Sequence, residues 1–393
     1  MTTRRVRLGV AGLGRAFTLM LPTLVRHPRV QLVAAADPRP EARSRFATEF
    51  AARAHESVEA LCADEGVDAV YVATPHEHHC AHAITAARHG KHVLVDKPMA
   101  ITLEEADRMV AAARDAHVRL VVGPSHSFDA PVARTRELIA SGRFGAVRMI
   151  TALQFTDFLY RPRRPEELDT ARGGGVVFSQ AAHHVDVVRL LGGGHLASVR
   201  AMTGSWDPQR PTEGAYAALL AFTDGAFATI TYSGHGHYDS DELCEDVGEL
   251  GHAKDPAGYG RAHRALALAQ GAQGEAEAKN ARNYGGAAYG GGTNEDPWHE
   301  HFGLVIASCE RADLRPTPKG VWIFEDAQKR FEPLAKPVVP RTEVIEELCD
   351  AIDAGRDGIH RGEWGRATLE ACLAMLQSAG ERRDVALARQ VRA

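Results

Sequence analysis

The sequence predicts an α/β protein, with an N-terminal Rossmann-type doubly wound parallel sheet followed by an α+β domain built on an open, mainly antiparallel sheet. Three observations carry this expectation. Short, continuously apolar runs alternate with amphipathic segments over residues 5–123, and a glycine-containing turn follows the first run. Beyond about residue 124 the runs lengthen and begin to alternate. Strands covered on both faces read as unbroken apolar stretches, whereas half-exposed antiparallel strands show a period of two.

In the first region, "VRLGVAG" (6–12), "VQLVAAAD" (30–37), "VDAVYVAT" (67–74), "HVLVDKP" (92–98) and "VRLVVGP" (118–124) read as strands. Between them "AFTLMLPTLVRH", "PEARSRFATEFAAR", "HCAHAITAARHG" and "TLEEADRMVAAARDAH" carry helical apolar spacing. Strand–helix alternation at this pitch is the pattern of a doubly wound domain, set here at residues 1–123. In the second region, 124–393, the expected strands are 147–158, 198–206, 216–234 and 321–326. Asp224-Gly225 makes a hairpin turn inside the third of these. The Gly- and Ala-rich stretch 271–292 reads as a mobile loop, and "GEWGRATLEACLAMLQSAGER" as a C-terminal amphipathic helix.

The 393 residues are 45% hydrophobic and 25% charged, with a formal charge of −5, so no basic surface for nucleic acid or an anionic membrane is expected. No apolar run approaches the roughly 20 residues that span a bilayer. Arg4-Arg5 resembles an export signal, but Arg15 breaks the apolar stretch behind it, and a first strand is the better reading. Six dispersed cysteines without a CxxC suit a reducing cytoplasm. A small molecule is the expected partner. An open antiparallel sheet exposes a face that needs covering, so a homodimer or homotetramer is expected.

The first strand runs into Gly12-Leu13-Gly14-Arg15-Ala16-Phe17. Gly12 permits the tight turn, and Gly14 lets backbone approach a pyrophosphate at the start of the next helix, alongside Arg15 and Ala16. Phe17 stands where the fingerprint has Gly or Ala, a position that serves packing and not phosphate contact. Asp37 ends the second strand roughly 20 residues further on, where an acid bonds the adenosine ribose hydroxyls. NAD is therefore the expected cofactor, with Arg39 leaving NADP as the alternative.

Residues 73–82, "ATPHEHHCAH", raise the question of metal, since His78 and His82 are spaced i, i+4. Position 80 is Cys, so the HExxH pattern is not met. "ATP" with His79, "KHVLVDKP" (91–98) and "GGGVVFSQAAHHVD" (173–186), in that order behind a dinucleotide turn, resemble the Gfo/Idh/MocA oxidoreductases across essentially the whole chain. The resemblance implies that Thr74, Pro75 and His79 rim the cofactor and that no metal is bound there. It implies that "VDKP" corresponds to the family's EKP motif, with Asp96 for Glu and Lys97 as a catalytic, cofactor-facing lysine. It implies a catalytic His183, with Ser179 in place of the family's upstream Asp and Asp186 one turn later. His184 points elsewhere on a helix and reads as structural.

Narrower matches at 12–23, 125–131, 156–183 and 307–321 look like the phthalate 4,5-cis-dihydrodiol dehydrogenases within that family. Arg161, Arg163 and Arg164 could then hold a dicarboxylate by paired hydrogen bonds, and His126 could line the pocket. The expected activity is NAD-dependent oxidation of a secondary alcohol, a cis-dihydrodiol going to a catechol. A sugar, inositol or glycoside dehydrogenase is the alternative within the family, and a non-catalytic dinucleotide-binding protein the alternative outside it.

Overall fold

Apart from Arg7, every residue of β1 (Val6–Ala11) is buried, the mark of a strand covered on both faces. The computed structural model describes residues 5–258, 260–269, 271–290 and 296–393. After β1 come α1 (Arg15–Arg26), β2 (Val30–Ala36), α2 (Pro40–Phe50), β3 (Arg53–His55), α3 (Val58–Cys62), β4 (Ala69–Val72), α4 (His79–Arg88), β5 (His92–Val95), α5 (Leu103–Asp115) and β6 (Leu120–Val122). The six strands are parallel in the order β3-β2-β1-β4-β5-β6. The strand order reverses at β1, which leaves a crevice at the carboxyl ends of β1 and β4, where such sheets bind ligands. The sequence pattern misses β3 because this edge strand carries only the exposed Arg53 and Ala54 and the half-buried His55.

The chain divides into two compact units, and the division is not the contiguous one expected at 123/124. The first unit comprises Met1–Pro124, Glu277–Thr293 and Val339–Arg366; the second comprises Ser125–Ala276, Asn294–Val338 and Ala367–Ala393. The late segments join the first unit through specific bonds. Arg29 bridges Asp350 at 2.5 Å and Asp353 at 2.9 Å, and the Thr23 hydroxyl donates to the Pro340 carbonyl at 2.6 Å.

The stretch expected to be a mobile loop is largely ordered: Gly271–Ala281 is a helix, followed by described chain to residue 290, while 291–292 lie outside the described residues. The reason is Tyr284. It is fully buried, edge-on to Phe17 (5.2 Å) and near Phe46 (6.4 Å), with its hydroxyl donating to Glu49 at 2.8 Å. Arg45 covers both Tyr284 and Tyr289. Glycine-rich composition hid a single aromatic anchor, and that anchor fills the surface Phe17 presents in place of Gly or Ala.

The second unit holds α6 (Ala130–Ala140), β7 (Val147–Phe155), α7 (Ala182–Leu191), β8 (Leu196–Gly204), β9 (Ala215–Phe222), β10 (Phe227–Ser233), α8 (Arg261–Leu268), β11 (Leu304–Cys309), β12 (Asp313–Thr317), β13 (Gly320–Glu325), β14 (Gln328–Pro333) and β15 (Val385–Ala386). Its nine-stranded sheet runs β14-β13-β12-β11-β7-β10-β9-β8-β15 and is antiparallel except where β10 pairs with β7. The β9–β10 hairpin turns at Gly225, whose φ of 90° suits glycine. One face packs on α6 and α7. The other leaves Met149, Met202, Leu219 and Phe227 between 36% and 60% exposed.

Tyr284→Ala should cost about 3 kcal/mol, the usual loss for a deleted buried aromatic ring, and should open 277–290 to trypsin. Tyr284→Phe, which loses only the bond to Glu49, should cost about 1 kcal/mol. Urea midpoints and limited proteolysis of the full chain check both; equal losses in the two variants would contradict the anchoring by the ring.

Candidate functional site

Each unit carries one group of the sequence-predicted residues. In the first, Gly12 has φ of 92°, and a Cβ there would sit 2.9 Å from the Ala73 carbonyl oxygen, so glycine is required both by conformation and by space. Gly14 differs. Its φ is −85°, it is the N-cap of α1 with no side chain capping the helix, and a Cβ there would meet nothing within 4 Å. The first N–H groups of α1, from the exposed Arg15 and the half-buried Ala16, thus begin beside open space, a ready seat for an anionic group. These residues fit a dinucleotide pyrophosphate.

Asp37 is buried, and its carboxylate accepts from the Leu13 N–H at 2.8 Å. It also accepts from the Arg39 N–H and Nε, each at 2.9 Å. Arg39 donates in addition to the carbonyls of Leu13 (2.8 Å) and Tyr284 (3.2 Å). The acid expected to read a ribose is held at the turn by the arginine expected to oppose it, so the two act as one unit.

The histidine segment resolves into separate tasks. His79 is fully buried, with Nδ1 2.9 Å from the Pro98 carbonyl and Nε2 2.7 Å from the Thr74 carbonyl. One imidazole therefore ties the end of β4 to the Lys97-Pro98 turn. His82 packs beside Thr74, its Nδ1 3.0 Å from the hydroxyl. Burial first, then the neighbouring His78 and His79, push its pKa down to about 4. Among the described residues, no group of three potential metal ligands includes any member of this segment. Pro75 precedes the short turn His76–His78. The Asp96 carboxylate accepts from the Lys97 N–H at 2.8 Å, and burial raises its pKa against the pull of Lys97 and His79. Lys97 itself is half-buried at the carboxyl end of β5.

In the second unit, α7 places His183 and His184 on different sides. His184 Nδ1 is 2.8 Å from the Tyr216 hydroxyl inside the core, where burial and then His126 push its pKa down to about 3. His183 instead meets His126, ring centroids 4.6 Å apart, with Phe302 against both rings. Asp186, one turn further, accepts from Ser127 at 2.5 Å and from Thr368 at 3.0 Å. That bond fastens the 126–128 turn to α7 and so brings His126 to His183. Ser179 lies in the π-helical turn Val177–Ala181, its hydroxyl donating to the Gly175 carbonyl.

Two residues that the sequence reading passed over complete the group. Asp129 lies 2.7 Å from His126 Nδ1, and Glu249 lies 3.6 Å from His126 Nε2. Burial lowers the His126 pKa, but Asp129 and Glu249 outweigh it and bring the pKa to about 10. The i, i+3 spacing of His126 and Asp129 in "SHSFDAP" was a legible signal. Glu249 gave none: it arrives on a tight turn in which Gly251, φ 80°, donates to the Gly248 carbonyl and accepts from Trp298.

The three arginines separate. Arg161, 40% exposed, faces Asp157 (3.2 Å) and the second oxygen (4.0 Å) of the Glu249 carboxylate that approaches His126. Arg163 lies over the Phe158 ring at 3.6 Å and donates to the Phe158 carbonyl, and Arg164 pairs with Glu166 and Glu167. Only Arg161 of the three joins the cluster.

Gly14→Val should leave the melting temperature close to wild type and weaken NAD binding about tenfold or more by filling the open space beside the helix start. Gly12→Ala should lower the melting temperature itself. Thermal denaturation with NAD titration by fluorescence distinguishes them, and unchanged NAD affinity in Gly14→Val would refute the anion seat.

Comparison with known proteins places the whole chain in a family. The model of the GFO/IDH/MocA oxidoreductase family, NAD-binding Rossmann fold, matches residues 6–124, and that of the GFO/IDH/MocA C-terminal domain matches 132–254. The chain is 47% identical over 374 residues to a 1-carboxy-3-chloro-3,4-dihydroxycyclohexa-1,5-diene dehydrogenase of Comamonas testosteroni, covering 95% of this chain and 94% of that one. A crystal structure of a Bordetella bronchiseptica RB50 protein superposes with a TM-score of 0.92 at 40% identity, over 98% of this chain and all (100%) of the other. A Bordetella pertussis dehydrogenase solved with NADH and UDP-GlcNAcA shares the fold, with a TM-score of 0.67 at 23% identity over 98% and 99% of the two chains.

Proposed function

Because the chain belongs to the GFO/IDH/MocA family and is an NAD-dependent dehydrogenase, we propose that its substrate is a carboxylated cyclohexadiene cis-diol, such as the cis-4,5-dihydrodiol of phthalate. The observation that carries this reading is Glu249, which has one oxygen 4.0 Å from Arg161 and the other 3.6 Å from His126, the partner ring of His183. An exposed guanidinium next to a candidate proton-handling pair suits an acid whose reacting carbon bears a hydroxyl. The named activity of the Comamonas relative, on a ring bearing one carboxyl and two hydroxyl groups, supports it.

NAD supplies the acceptor for the hydride that leaves the carbinol carbon. We assign the hydroxyl proton to Lys97 and His183, an amine and an imidazole of the kind that serves general acid–base chemistry. The enone so formed tautomerises to a catechol, and aromatisation draws the reaction forward. One carboxylate contact, Arg161, takes the place of the three-arginine arrangement read from the sequence, because of the three it is the one that approaches Glu249 and so the His126 cluster, although Asp157 also faces it.

Purified protein with NAD should form NADH from phthalate cis-4,5-dihydrodiol or a monocarboxylated analogue, and far more slowly from inositol or sugars. Lys97→Ala and His183→Asn should each lower kcat by about 10²–10⁴-fold, the usual share of a proton-transfer group, while Arg161→Ala should act mainly on KM. Turnover of polyols alone would sink the substrate assignment.

We also propose that a homodimer or homotetramer covers the sheet face bearing Met149, Met202, Leu219 and Phe227. These four share one side of paired strands by register, and an apolar face of this kind marks an interface. Light scattering should give a multiple of the chain mass, and Leu219→Glu should reduce it; a wild-type monomer would overturn the assignment.

A further inference from the structure

We propose that His126, His183 and Glu249 form a binding site for one divalent transition-metal cation, Zn²⁺ or a chemically similar ion. Each offers one ligand atom, and the three atoms lie within 4.8 Å of one another. Two imidazoles and one carboxylate are a donor set used for catalytic zinc, one that leaves coordination positions for water or substrate.

A second feature points the same way independently of the ligand set. His126 Nδ1 is 2.7 Å from the Asp129 carboxylate, which directs Nε2 toward Glu249. Metal-binding histidines almost always donate their other ring N–H to a carboxylate or carbonyl, which fixes the tautomer and raises ligand basicity. Phe302 packs on both imidazoles and gives the group an apolar wall.

Charge agrees as well. Asp129 and Glu249 flank His126, and Glu300 also offers an oxygen close to His126 and Asp129. The guanidinium facing Glu249 is that of Arg161, 4.0 Å from the oxygen turned away from His126. The three carboxylates outnumber Arg161 and the protonated His126, and a doubly charged ion would take the place of the imidazolium proton between His126 and Glu249. The alternative grouping of His126, Asp129 and Glu300 includes the carboxylate already bonded to His126 Nδ1, so we place the site on the Nε2 side, toward Glu249.

Resting on the proposed dehydrogenase reading, such an ion has a specific use. Two neighbouring cis hydroxyl oxygens are a natural chelating pair, and a cation beside them lowers the pKa of the hydroxyl to be oxidised. With His183 held as a ligand, the share of the proton transfer that the proposed function gives it falls away.

The test is metal binding by the full chain after dialysis against a strong chelator. Titration with Co²⁺ alone should give one equivalent per chain and a visible d–d band that Zn²⁺ displaces. Glu249→Gln and His126→Asn should abolish the band, Glu249→Asp should retain it, and Asp129→Asn should weaken binding about 10–100-fold, as loss of such an orienting partner does. Thermal melting confirms that each variant folds. Substoichiometric cobalt in the wild type, or an unchanged band in Glu249→Gln, would overturn the site. Full turnover of the dihydrodiol by metal-free enzyme would also overturn it while leaving the dehydrogenase reading intact. Stoichiometric cobalt in a protein that oxidises no diol would support the site and remove the substrate reading instead.

Discussion

Asp186 accepts hydrogen bonds from Ser127 and Thr368 in the interior of the second unit. Without them the turn carrying His126 would have no fixed position against α7. The network continues through Arg189, whose guanidinium donates to Thr368 at 2.7 Å and to Gln390 at 3.0 Å. A buried carboxylate is costly unless its oxygens are satisfied. Here Ser127 and Thr368 come from two stretches distant in the chain, so the same bonds that neutralise the cost also hold those stretches to α7. The meeting of His126 and His183 is a by-product of that requirement.

The first unit uses a buried histidine for a similar purpose. His79 lies between the carbonyls of Thr74 and Pro98 and so ties the turns after β4 and β5 to each other. These are the turns at the carboxyl edge of the parallel sheet, beside the point where strand order reverses. Asp37 and Arg39 secure the third of them, the turn after β1. Three loops that could each move alone are therefore pinned by short polar bonds, which suits a surface that must present backbone N–H groups to a dinucleotide without reorganising.

The cluster around His126 shows how one arrangement answers several demands. Its carboxylates hold the imidazole in one orientation and make the surroundings anionic, while Arg161 supplies a positive rim on one side. A substrate with a carboxylate and a vicinal diol carries both kinds of group in one ring. The family assignment rests on the whole chain, but the selection of such a substrate is assigned to a handful of side chains in the second unit.

Sequence alone determined the parallel domain, the turn at Gly12-Leu13-Gly14 and the acid at Asp37, because each depends on local chemistry, and it singled out Lys97 and His183 through motif order. A buried strand must be apolar, and a positive φ calls for glycine, wherever the rest of the chain goes. Tertiary structure alone decided the remainder. Tyr284 turned a Gly-rich stretch into ordered chain, since one aromatic ring finding Phe17 and Phe46 outweighs the composition around it. Arg161, Arg163 and Arg164 are near neighbours in sequence, yet only the fold turned Arg161 toward Glu249 while Arg163 lies against Phe158 and Arg164 pairs with Glu166 and Glu167. Glu249 reached His126 across more than a hundred residues, through a turn that carries no signal of its destination. Local propensity is written residue by residue, whereas long-range partnership depends on which surfaces remain to be satisfied once the chain has closed.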